Sequence, residues 1–138
     1  MLKTSGTMQK AKYAYKIHAW DVAEEEQALL LSHLPKRVRK ISKHAKKRQR
    51  EKGFRTSVKE LQSLLTFTNL LDIQVEESGA YNFVFRASVN PLHDLTFVIK
   101  PDGHVVTFWV NDKRDQHSTL DESIYRTDIS LKEVFKHG

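Results

Sequence analysis

Four segments between residues 71 and 110 alternate apolar and polar positions, and each is rich in β-branched or aromatic residues. They read LDIQVEE (71–77), AYNFVFRAS (80–88), LTFVIK (95–100) and HVVTFWV (104–110). Between them lie turn signals: Ser78-Gly79, Asn90-Pro91 and Pro101-Asp102-Gly103. Alternation of period two with gaps short enough for hairpins predicts a four-stranded antiparallel β-meander. Tyr13, Tyr15 and Ile17 alternate with Lys16 and His18 in the same way, which suits a short strand or an extended arm.

Ahead of the meander the pattern is helical. Asp21 and Glu24 have capping-box spacing before a helix over 22–33, and Ser57 and Glu60 repeat it before a helix over 57–67. Pro35 suits a first helical position, no breaker follows, and Gly53 suits the residue just past a helix end, so a helix over 35–52 is expected. Ser130 and Glu133 could cap a last short helix. The fold class expected is α+β, with N-terminal helices packed on a four-stranded antiparallel meander. At 138 residues this is one domain: a disordered lead-in at 1–10, a helical part at 21–68, the meander at 71–110 and a polar tail at 111–138.

Charge is concentrated in one place. From Lys36 to Lys52 ten Lys or Arg residues face one acid, Glu51, a local +9 within a chain of net charge +6, so the remainder is slightly acidic. Val38, Ile41 and Ala45 form an apolar stripe on this helix, which can therefore dock while Lys36, Arg37, Arg39, Lys40, Lys43, Lys46, Lys47 and Arg50 stay in solvent. A solubilising surface helix would interleave Glu with Lys, and this one does not. The expected partner is a polyanion, RNA or DNA, with an acidic protein such as an inhibitor as the other candidate. A membrane surface fits less well, because the stripe has no Trp, Phe or Leu.

Other classes are excluded or lack a signal. With no cysteine there is no disulfide, thiolate zinc site or cysteine nucleophile. No run of about 18 apolar residues and no apolar leader at 1–16 occurs, so a soluble cytoplasmic protein is expected. Gly-rich phosphate loops, nucleophile elbows and HExxH are absent. Asp112, Asp115, His117 and Asp121 match no established metal loop, so no metal is assigned.

His44 and Arg48 are one helical turn apart beside Ile41 and Ala45. A histidine near fixed cations suits metal-free RNA cleavage: a base takes the 2′-hydroxyl proton, cations hold the phosphate, and an acid protonates the leaving oxygen. No cofactor is needed. His117 and Tyr125, in the polar tail, could supply the second proton-transfer group.

The run from His44-Ala45 through Arg48 to Lys52-Gly53, followed by a helix and a meander ending Val105-Val106-Thr107-Phe108, resembles the small ribonuclease toxin superfamily of barnase-, EndoU-, colicin- and RelE-like nucleases. The likeness spans about residues 41–110. It implies a toxin-like endoribonuclease with RNA across the sheet, His44 as acid or base, Arg48 on the phosphate and Thr107 presented by the last strand. The other reading is a non-enzymatic nucleic-acid-binding protein, with helices 35–52 and 57–67 forming a helix-turn-helix-like unit.

Overall fold

The computed structural model describes residues 13–53, 56–114 and 124–136. In chain order the elements are β1 (Tyr13–His18), α1 (Gln27–His33), β2 (Lys40–Ile41), α2 (Lys43–Lys52), α3 (Val58–Ser63), β3 (Leu70–Glu76), β4 (Tyr81–Ser88), β5 (His93–Ile99), β6 (His104–Asp112) and α4 (Leu131–Phe135). Single 3₁₀ turns occupy Ala19–Asp21, Glu24–Glu26 and Phe67–Asn69.

One six-stranded sheet, in the order β1-β3-β4-β5-β6-β2, organises these elements. β3 to β6 form the meander, β1 adds an antiparallel strand beside β3, and β2 pairs parallel with β6. The expected fold is corrected on two points. The sheet is six-stranded and mixed, not four-stranded and antiparallel, and the helices are distributed through the chain, not clustered at its N-terminus; α4 is the short helix expected after Ser130.

The basic segment accounts for half of that correction. Residues 36–41 are not helical. Arg39 N–H donates to Gly103 O at 2.8 Å and Ser42 N–H to Val105 O at 2.9 Å, so backbone groups that a helix would use internally are taken by the β5–β6 turn and by β6. The helix starts only at Ser42, whose hydroxyl accepts from Ala45 N–H and donates to Val106 O at 2.8 Å. Val106 is the extra residue of a bulge between the Ile99↔Val105 and Val98↔Thr107 pairs, which turns its carbonyl toward Ser42. Gly53, at φ +71°, closes α2 as expected.

Gly103 is the hinge of this arrangement. Its φ is +95°, and a Cβ there would stand 2.5 Å from Arg37 O and 3.1 Å from Arg39 N. Gly103→Ala is expected to cost about 1–3 kcal/mol, through backbone strain and displacement of the 37–39 segment. A denaturation midpoint equal to that of the parent protein would show that the contact is not needed.

The sheet buries one face against the helices. Ile17, Ile73, Phe83, Ile99 and Val105 pair in register across five strands and join Leu30, Ala45, Leu61, Val134 and Phe135 in one core. By alternation, His18, Asp72, Val84, Val98 and Thr107 pair along a line on the opposite face. Val84 and Val98 are also buried, but they do not belong to the helix-side core. Among the described residues no helix is long and apolar enough to cross a membrane.

Candidate nucleic-acid interface

The cations between residues 36 and 52 lie on two successive supports, the extended run 36–41 and α2, both attached to β6 at one edge of the sheet. Val38, Ile41, Ala45 and Gln49 face inward and are buried, and Gln49 Nε2 donates to Thr56 Oγ1 at 2.9 Å. Docking thus uses the apolar positions and one amide. Lys36, Arg37, Arg39, Lys40, Lys43, Lys46, Lys47, Arg50 and Lys52 are all exposed, and Arg48 is half-buried. Among the described residues, only Arg48 of these ten meets a carboxylate, Glu51, at 4.0 Å. Arg50 and Lys52 also sit in the last turn of α2, where a cation is favoured by the helix dipole.

The residues proposed for catalysis do not all come together. His44 is exposed on α2 and makes no hydrogen bond among the described residues, while Arg48, one turn on, is engaged by Glu51. Thr107 is half-buried on the sheet face opposite the helix-side core. Tyr125 lies beyond the other edge of the sheet, bridged to Lys16 of β1, and its hydroxyl donates to Asp72 Oδ2 at 2.8 Å. From Thr107 on β6 to Asp72 on β3 is three strand spacings, about 14 Å. His117 falls outside the described residues, as do Asp115 and Asp121. Among the described residues no group of His, Asp and Glu is arranged to hold a metal ion.

Around Tyr125 the fold assembles a cluster that sequence reasoning missed. His18 Nδ1 lies 3.1 Å from Asp72 Oδ1, so the buried Asp72 engages both His18 and Tyr125. The His18 ring is sandwiched: Tyr125 stacks at 3.6 Å between centroids and Trp20 at 4.2 Å, each within 13° of parallel. Trp20, the outer layer, is 66% exposed. His18 and Asp72 are 54 residues apart, and the only sequence hint was that alternation put His18 on the polar side of a strand. The stack stands at the far side of the sheet from the cations.

The same sheet face is held by paired polar groups. Arg86 Nε donates to Asp94 Oδ2 at 2.9 Å, Lys113 Nζ approaches Asp94 Oδ1 at 3.2 Å, and Thr96 Oγ1 donates to Asn111 Oδ1 at 2.6 Å. Burial pushes the Asp94 carboxyl up, but the hydrogen bonds and charges of Arg86 and Lys113 outweigh it and hold the group below the usual carboxylate range. These contacts pair Arg86, Asp94, Lys113, Thr96 and Asn111 with one another. They explain how polar residues occupy a buried sheet surface without marking it as a reaction centre.

Compared with family models, curated proteins and solved structures, the chain matches none.

Proposed function

We propose that this protein binds RNA without cleaving it, using the segment 36–52 as a phosphate-binding platform. The reading rests on one observation: ten cations in seventeen residues, nine of them exposed and none of those nine paired with a carboxylate among the described residues. Self-repulsion on this scale is relieved by a polyanion, and release of counterions drives the association. The supports are rigid, since β2 and α2 are tied to β6 through backbone bonds and the Ser42 cap. RNA is preferred over DNA on the resemblance of residues 41–110 to RNA-cleaving proteins.

Binding is favoured over the endoribonuclease reading because an acid, a base and a phosphate ligand must converge on one reacting centre. His44 is exposed and Arg48 half-buried on α2, while Thr107 on β6 and Tyr125 beside β1 stand on opposite sides of the sheet. An acidic protein partner, such as an inhibitor, would meet the same cations and is the reading left if RNA does not bind.

Incubating RNA with the protein in EDTA, alongside fluorescence anisotropy at two salt concentrations, separates these readings. Binding that weakens steeply with salt, with the RNA left intact, is expected. Cleavage abolished in a folded His44→Ala variant would overturn the binding-only reading and establish a metal-free nuclease. Absence of binding at low salt would overturn the RNA reading altogether.

A further inference from the structure

Where the extended part of the basic segment passes the sheet, a groove of about 560 Å³ opens between it and the β5–β6 turn. Lys36, Arg37 and Arg39 line one wall, Pro101 and Asp102 line the other, and His33 and Tyr81 contribute aromatic surface. Tyr81 also lines an adjoining cavity of about 320 Å³ that shares Pro101 and Asp102. The groove exists because the Arg39 N–H···O Gly103 bond holds the basic strand against that turn.

Tyr81 is the informative residue. It is 4% exposed, its ring packs on Phe83 at 5.7 Å and Phe135 at 5.0 Å, and among the described residues its hydroxyl has no hydrogen-bond partner. The hydroxyl is not sealed from solvent: it opens where Tyr81 lines the groove and is a donor that a ligand seated there can use. Burial also pushes its pKa up, so it is a neutral donor at physiological pH. Asp102, on the other wall of the groove, accepts the His104 N–H on Oδ1 at 3.0 Å and among the described residues makes no hydrogen bond to Tyr81.

We propose that this groove is a phosphate-monoester site that holds the terminal phosphate of an RNA strand bound along the basic segment. The RNA part rests on the function proposed above; the phosphate part rests on the groove. Three cations against one carboxylate leave a local charge of +2, which matches a monoester carrying nearly −2 at neutral pH better than an internal diester carrying −1. Guanidinium forks from Arg37 and Arg39 and the Tyr81 hydroxyl supply the hydrogen-bond donors that its three terminal oxygens require. The His33 ring, held by Phe135 at 4.2 Å and by Leu29 O at 3.0 Å, offers a wall for the adjoining sugar.

The test compares short RNA oligomers bearing a 5′-phosphate, a 3′-phosphate or hydroxyls at both ends, together with uridine monophosphate, by amide chemical-shift titration. One phosphorylated end is expected to bind about tenfold tighter than the hydroxyl oligomer, with shifts centred on Arg39, Tyr81 and Gly103. Tyr81→Phe, which keeps the ring and its packing, should remove most of that difference, and Arg37→Gln provides a second variant outside the core. Equal affinity for all oligomers would overturn the proposal, while steep salt dependence in the same data would leave the RNA reading standing. Saturation of the groove by uridine monophosphate without binding of any oligomer would keep the phosphate site and overturn the RNA reading.

Discussion

Replacing Lys43, Lys46, Lys47 and Arg50 together by glutamine is expected to weaken RNA binding about 100-fold near 0.15 M salt. It should also flatten the slope of log affinity against log salt by about 3, since each lost phosphate contact on a single strand removes about 0.7. All four side chains are exposed on α2 and lack a carboxylate partner among the described residues, so their charge is available to a ligand and does not hold the fold. Stability should change by less than about 0.5 kcal/mol per position, with removal of like-charge repulsion acting in the stabilising direction. The helix itself persists, because Ser42 and Gly53 cap it and Ala45 and Gln49 dock it. Anisotropy at three or more salt concentrations decides the matter. An affinity loss with an unchanged slope would mean that these residues act through structure, and the platform reading would fail.

Phe97→Ala should destabilise the protein by about 3–5 kcal/mol, a large fraction of what a domain this size possesses. Phe97 is fully buried in β5, flanked by β4 and β6, and it stacks on Phe85 at 5.5 Å and pairs in register with Phe108. Truncation leaves a void that two neighbouring aromatic rings, each on its own strand, cannot close by small shifts. The loss is read from guanidinium unfolding with the slope held common. A change under about 1.5 kcal/mol would show that the sheet relaxes around the void and that the core is more adaptable than its burial implies.

The positions of the four meander strands were readable because period two and the turns at Ser78-Gly79, Asn90-Pro91 and Pro101-Asp102-Gly103 are local signals. The short strand or arm suggested by Tyr15 and Ile17 is β1. The Asp21–Glu24 spacing misled. Asp21 ends a 3₁₀ turn and the next turn begins after Ala23 without a side-chain cap, whereas Ser57 and Glu60 form a complete capping box. The helix assigned from Pro35 failed for a different reason. Nothing in residues 36–41 forbids a helix, and the competing hydrogen bonds come from Gly103 and Val105, more than sixty residues away. A two-residue parallel strand leaves no periodicity from which it could be recognised.

Site residues divide in the same way. The basic residues were visible because charge is a property of composition, and their exposure follows from the cost of burying a cation. His18, Asp72 and Trp20 were not visible, since the stack and its carboxylate come from β1, the following turn and β3. Tyr81 looked like one more alternating strand residue, and its groove is made by a segment some forty residues earlier.

What this chain determines by sequence alone is the presence of the meander and a single cationic segment, because alternation and charge are written residue by residue. Tertiary structure decided that the sheet has six strands, that the cations are divided between a strand and a helix, and that Tyr81 opens on a basic groove. Each of those outcomes depends on a backbone or side-chain group finding its partner across the fold. The balance between local and distant hydrogen bonds is settled only when both partners are in place.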